Sequence, residues 1–399
     1  MFVMRRARTE DVSTLLKLAK MVHFINLPAD KDIIADKAGW SRECFLKAAE
    51  TVHGPGRRSA RMGHGERRPG DRGAGPVHGG GRELESGLAA EVSRSDLFMF
   101  VLEDTESRGV LGTSQIISKM GGPGRPNVSL KLGRREMFSK SLQMGTTHTV
   151  AKLWLDESGP TEIGGLILQP SYRGHKGKLG RFLSMVRFHF MGLHPGFFSE
   201  RVIAEMMAPI TPDGHNTLWE YLGRRFINLT YAEADGFCQY SKEFITSLMP
   251  REEIYLTLLP PEARAVVAQV GPETVPARRM LEKLGFAYHD LIDPFDGGPT
   301  LEAATSSIVP IQQTRRLALG TSALEGAAEG IAIVSTLDAD GEFRAVQSAY
   351  QLDADGLPRL PAAELAALEV GPGALVGFTP VEAAAGAEGD PQAAAHRIG

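Results

Sequence analysis

The residues best suited to chemistry lie in one run, Leu166–Ser184, which reads LILQPSYRGHKGKLGRFLS. An apolar strand leads into a glycine-rich turn, and a helix follows whose apolar face comprises Leu179, Phe182, Leu183, Val186 and Phe190. A helix start carries unpaired N–H groups and the positive end of the helix dipole. Glycines let an anion approach that backbone, and Arg173, Lys176, Lys178 and Arg181 set cations around the same spot. The chemistry this implies is the cradling of a pyrophosphate by Arg173, Gly174, His175, Lys176, Gly177, Lys178, Leu179, Gly180 and Arg181. The alternative is a surface turn whose glycines only permit tight packing. A mononucleotide P-loop is excluded, because it needs Gly-Lys-Ser/Thr at the helix start and Gly180-Arg181-Phe182 stands there.

The elements that must position this run follow from hydrophobic periodicity. Val3 begins a short strand, and Val12, Leu15, Leu16, Leu18 and Ala19 recur at helical spacing behind Thr9 or Asp11. Leu97–Leu102 and Val110–Ile117 read as a hairpin across an acidic turn. Thr149–Leu155, Glu162–Leu168 and Val202–Met206 read as further strands, with a helix from Leu179 to about Met191. Helices over Asn216–Leu222 and Pro276–Leu284 each close on a glycine, Gly223 and Gly285, expected at positive φ. An α/β sheet results. Beyond about Arg316 the expectation is a small β appendage built from Ile331–Val334, Phe343–Val346 and Ala374–Phe378, with a loose tail from Ala383.

Composition narrows the class. A chain of 399 residues, 42% hydrophobic with a net charge of -4, is expected to be a globular protein with no general attraction to nucleic acid. Cys44 and Cys238 are too far apart in sequence to suggest a disulfide scaffold or a zinc site, and no apolar run reaches the roughly 18 residues of a membrane span. The expectation is a cytoplasmic protein with no metal and no permanently bound cofactor. Gly54–Arg82 holds seven Arg, two acids and almost no aliphatic residue, and reads as a disordered Gly/Arg-rich insert within 51–95. The expected division is 1–240 as a ligand-binding lobe, 241–318 as a second α/β lobe closing the substrate site, and 319–399 as the appendage and tail.

The Leu166–Ser184 run resembles the acetyl-CoA motif of the GNAT acyltransferase superfamily, with Gly180 at its last glycine and Lys178 at an earlier one. Phe98–Asp104 (FMFVLED), Val202–Met206 (VIAEM), Gly223–Phe226 (GRRF), Pro276–Phe286 and Asp293–Pro299 (DPFDGGP) narrow the resemblance to the arginine N-succinyltransferase family. That likeness implies a mixed, mostly antiparallel, splayed sheet flanked by helices, and succinyl transfer from succinyl-CoA, as acyl donor substrate, to the α-amine of arginine. Leu166 aligns with a succinyl-CoA contact of the family, and Leu168 lies on the same strand. Gly164 and Gly165 would ease the approach of the acyl-CoA there.

The family's proton-donating His lies in a Val-His-Pro segment that here reads Val270-Gly271-Pro272. Glu273 and then Glu205 are the candidate replacements as base. Asp293, Asp296 and Glu302 are the candidates to hold the guanidinium, against the alternative of a tight turn with Asx-type hydrogen bonds. Trp219 and Leu281 stand where many superfamily members carry a tyrosine acid. Small-molecule substrates are the expected partners, with assembly as a homo-oligomer or as a heterodimer with a related subunit. Gly271 also opens a second reading, a non-catalytic CoA-binding subunit that supports a His-containing partner, and an N-acyltransferase with another amine acceptor is a third.

Overall fold

Leu97–Leu102 lies within β2 (Leu97–Asp104), whose apolar residues are covered on both faces. Met99 and Val101 meet α1 (Val12–Met21), while Phe98 and Phe100 enter an aromatic cluster on the other side. In that cluster Phe45 of α2 (Lys31–His53), Phe190 of α3 (Leu179–Leu193) and Phe343 of β13 (Phe343–Leu352) join the two β2 rings. Ring centroids there lie 4.7–5.9 Å apart, mostly edge to face, the geometry that the aromatic quadrupole favours. Truncating any of these phenylalanines to Ala would cost about 3–5 kcal/mol.

The structure, a computed structural model, describes residues 1–21, 27–54, 94–211, 214–238 and 241–383. Of the insert expected at 51–95, residues 51–53 are the last of α2, not disordered, while 55–93 and the tail beyond 383 lie outside the described residues. The remaining strands are β1 (Phe2–Arg6), β3 (Gly109–Ile117), β4 (Asn127–Ser139), β5 (Met144–Asp156), β6 (Thr161–Leu168), β7 (Arg201–Glu205), β8 (Ile254–Tyr255), β9 (Ala287–Ile292), β10 (Pro299–Ala304), β11 (Arg315–Ala318), β12 (Gly330–Leu337), β14 (Pro358–Arg359) and β15 (Leu375–Ala383). Their order is β11-β15-β12-β13-β1-β2-β3-β6-β7-β10-β9-β4-β5-β8, with β14 paired to β13. Neighbours run antiparallel except β6 and β7. The mixed, mostly antiparallel sheet flanked by helices that the sequence implied is therefore the architecture.

The C-terminal strands continue this sheet, because β13 pairs with β1 at Met4–Ala345 and Arg5–Arg344. No break in the sheet coincides with the expected boundaries at 240 and 318. Several elements go beyond the sequence expectations, two of them large. One is α2, capped by Asp30, whose carboxylate accepts the N–H groups of Asp32 and Ile33. The other is β4, which pairs with β5 along all thirteen of its residues.

Of the two glycines expected to end helices, Gly285 does so at φ +91°. Gly223 does not. It lies within a π turn (Trp219–Gly223) at φ -57°, and a side chain on it would collide with the Trp219 indole, so ring packing rather than helix termination requires the glycine.

Buried polar groups tie α3 to the C-terminal strands. The His189 ring bonds Thr379 of β15 and Ser335 of β12, both at 2.6 Å. Burial pushes its pKa down to about 3 from the ordinary 6.5. The unfolded chain therefore binds a proton at His189 in a pH range where the folded chain does not. The stability that neutral His189 supports is complete above pH 6.5 and is lost as pH falls through 6.5 toward 3. Denaturant unfolding of wild type and His189→Gln between pH 7.5 and 5 should show a steeper loss in wild type, on the order of 1 kcal/mol per pH unit. Parallel profiles would show that His189 is already charged when folded.

Candidate functional site

The site is organised by a sheet pair that barely pairs. β6 and β7 are in register only at Thr161–Val202 and Glu162–Ile203, and beyond those positions the two strands part. On its other side β6 stays paired with β3, through a register shift that Gly165 accommodates at φ +57°. A Cβ at Gly165 would meet the Gln115 side chain at 2.9 Å, so a larger residue there would displace that side chain as well as strain the backbone. The carboxyl half of β6, with Gly164, Leu166 and Leu168, thus has an edge with no neighbouring strand on the β7 side.

That strand leads into the predicted loop. The N–H groups of Arg173, His175 and Lys178 donate to Pro170, Tyr172 and His175 carbonyls at 3.1, 3.2 and 2.9 Å. Gly177 N–H donates to the His175 ring at 3.0 Å, and Gln347 of β13 reaches the Gly177 carbonyl at 3.3 Å. Lys178 has φ +51° and ψ +42°, the left-handed region that favours glycine, which accounts physically for a glycine at this position in the motif it resembles. Its carbonyl takes the N–H groups of both Arg181 and Phe182, leaving Leu179 and Gly180 as the first-turn donors at the helix start. A Cβ on Gly180 would only touch Leu168 at 3.8 Å, so internal packing does not demand glycine there. The ground that a side chain would cover is the helix start itself.

The loop cations already hold carboxylates. Lys178 Nζ lies 2.6 Å from Glu382 of β15, Arg181 pairs with the same carboxylate, and Arg181 also donates to the Val381 carbonyl at 2.7 Å. Lys178 and then Arg181 keep the Glu382 carboxyl below the usual carboxylate range. Arg173 pairs with Glu273 at 3.0 Å. The structure therefore brings Glu273, a sequence candidate for the base, to the outer side of the loop, exposed and ion-paired. Gly271 is packed against the chain leaving β7, its N–H donating to Met207 at 2.9 Å, and a Cβ there would lie 3.2 Å from the Ala208 carbonyl.

The three candidates for holding a guanidinium are committed elsewhere. Asp293 accepts the N–H groups of Phe295 and Asp296 at 2.7 and 3.0 Å. Asp296 accepts those of Gly298 and Ala208 at 2.7 and 2.9 Å. Gly297 at φ +79° and Gly298, pressed on the Met206 carbonyl, close the turn. Of the two readings the sequence left open, the geometry is that of the tight Asx turn. Burial raises both carboxyls, Asp296 to about 6 and Asp293 further with Asp296 beside it. Glu302, on β10, is ion-paired to Arg201 at 2.8 Å, which also holds Asp156.

A charged cluster that sequence reasoning did not assemble surrounds Glu205 instead. Lys242 would be pushed down by burial, but Glu205, Glu162 and Asp293 outweigh that and hold it above the ordinary lysine value. On α2, burial takes Lys37 down to about 8 against the pull of Glu162, and in α4 (Tyr231–Cys238) burial takes Asp235 up to about 6. The available sequence signal was a carboxylate placed within an apolar strand, at Glu162 and again at Glu205. Among the described residues there is no group of three or more His, Cys, Asp or Glu placed to hold a metal, and no helix is long and apolar enough to cross a membrane.

Comparison with known proteins gives the family and the fold. A family profile described as arginine N-succinyltransferase beta subunit matches residues 84–310. The arginine N-succinyltransferase of Yersinia enterocolitica is 37% identical over 250 residues, which is 62% of this chain and 72% of that protein. That of Photorhabdus laumondii is 34% identical over 277 residues, 69% of this chain and 80% of that protein. The chain belongs to the arginine N-succinyltransferase family. Membership makes it an acyltransferase. Its structure superposes on one described as arginine/ornithine succinyltransferase subunit AI from Pseudomonas aeruginosa with a TM-score of 0.70 and 25% identity, across 95% of this chain and 98% of that one.

The Asx turn carries its own prediction. Asp296→Ala strips the acceptor from two buried N–H groups and should lower unfolding free energy by about 2–4 kcal/mol in urea titrations. Stability equal to wild type, with weakened substrate binding, would return Asp296 to the role of a ligand clamp.

Proposed function

We propose that the chain transfers the succinyl group of succinyl-CoA to the α-amine of L-arginine. The observation that carries this reading is the unpaired edge of β6 leading directly into the loop and helix start at Leu179. In this reading the pyrophosphate lies on the first-turn N–H groups of α3, with Lys178 and Arg181 exchanging Glu382 for its oxygens. The pantetheine and thioester run along Gly164–Leu168, where backbone donors can bond the carbonyl oxygen as negative charge develops on it. Arg173, Gly174, His175, Lys176 and Gly177 supply the outer wall of the loop.

The reaction forms a bond from the amine nitrogen to the succinyl carbonyl carbon and breaks the carbon–sulfur bond. A free α-amine has a pKa of about 8 and arrives mostly protonated at neutral pH, so a proton must leave it before attack. The departing thiolate takes one up. Gly271 has no group to exchange protons, and Glu273, two residues on, is our candidate acceptor. Its pairing with Arg173 at 3.0 Å places it beside the loop. Glu273→Gln should then lower kcat about tenfold or more while leaving CoA affinity unchanged. Wild-type turnover in that variant would remove Glu273 from the mechanism.

A second reading is favoured by Gly271 itself and by the description of the Pseudomonas protein as a subunit. Here the chain binds CoA and supports a related subunit that carries the proton-transfer group. Purified chain incubated with succinyl-CoA should release free thiol only when arginine is added. Calorimetric CoA binding without arginine-dependent thiol release would favour the subunit reading, and absence of CoA binding would reject both.

A further inference from the structure

On β7, Val202 and Ala204 face the hydrophobic core, and Glu205 projects from the opposite side. Asn127, at the start of β4 and 4% exposed, donates from Nδ2 to Glu205 Oε1 at 3.4 Å. Its Oδ1 is buried with no hydrogen-bond partner among the described residues. Thr300, 3% exposed and directly across from Glu205 in the β7–β10 pairing, has a hydroxyl in the same condition, as does Oδ1 of Asp235. Lys242 lies within electrostatic reach of Glu205, Glu162, Asp293 and Asp235, which places these acids around one region.

The unpartnered Asn127 and Asp235 oxygens are acceptors, and the Thr300 hydroxyl can either donate or accept. Carboxylate and amide oxygens can only accept, and a buried acceptor without a donor is costly. Three carboxylates, Glu162, Glu205 and Asp235, face two ammonium groups, Lys37 and Lys242. The complement is a compact cation bearing several N–H groups, and a guanidinium offers five in one plane. The region adjoins the parting of β6 and β7, so a molecule anchored there by its side chain can reach the strand edge with its other end.

We propose that Glu205 and Asn127 receive the guanidinium of the acceptor amino acid and thereby set acceptor specificity, an assignment that rests on the reading that arginine is the acceptor. Asp293, Asp296 and Glu302 are excluded from that task by their bonds within the turn and to Arg201.

Citrulline, which replaces the guanidinium with a neutral ureido group of the same shape, is the discriminating probe. Calorimetry on the intact chain should show arginine binding at least about tenfold tighter than citrulline, and Glu205→Gln should abolish that preference. In steady-state assays Asn127→Leu should raise the arginine KM about tenfold and leave the succinyl-CoA KM unchanged. Asn127→Asp, which adds negative charge with the same shape, should lower the arginine KM, and it serves as the test if Glu205→Gln does not fold. Preference for arginine that survives in Glu205→Gln overturns the assignment. So does a collapse of kcat at unchanged arginine KM, which would make Glu205 the base. Wild-type chain that binds arginine in preference to citrulline but transfers no succinyl group would defeat the functional reading and keep this subsite. Equal binding of the two would defeat the subsite whatever the turnover.

Discussion

The structure depends on one incomplete strand pairing. Parallel β6 and β7 share two residue pairs and then part, inside a sheet whose other neighbours are antiparallel. Beyond those pairs the carboxyl half of β6 lacks a β7 partner, and backbone groups without a strand partner are open to bonding by a ligand. Everything placed around it answers to that geometry. β6 delivers the loop, the loop starts α3 with Lys178 in the left-handed region, and β7 carries Glu205 past the point of separation.

The C-terminal strands contribute to the site as well as to the fold. Through β13 they join β1, through His189 they are bonded to α3, and through Glu382 they place a carboxylate on the loop cations. In the proposed reading, anion binding at the loop exchanges one negative group for another, and its dependence on salt will reflect the net change, not the full charge of the ligand. Gly271 has the opposite character. It presents no side chain beside Met207 and Ala208 and has no group that could exchange a proton.

Local signals in the sequence were read well where the physics is local. The hairpin from Leu97 to Ile117, the loop before α3 and the glycine at 285 all follow from short-range pattern and backbone chirality. Gly223 was misread because its reason is tertiary: a neighbouring indole, not a positive φ, excludes a side chain. Asp293 and Asp296 look the same in sequence whether they cap a turn or hold a cation, and only the bonds from Ala208 and Gly298 tell these apart. α2 and β4 were missed, although Asp30 ahead of Ile34, Ala38 and Phe45 carries a capping and periodicity signal. The cluster around Glu205 draws on α2, β4, β6, β10 and α4, and no window of sequence contains that convergence.

Hydrogen–deuterium exchange with and without CoA tests the parting of β6 and β7 most directly. The account predicts that CoA slows exchange in peptides covering Ile163–Leu168 and Leu179–Gly180, while β2 and β12 are unaffected. Unchanged exchange across β6 and the start of α3 under saturating CoA would contradict it.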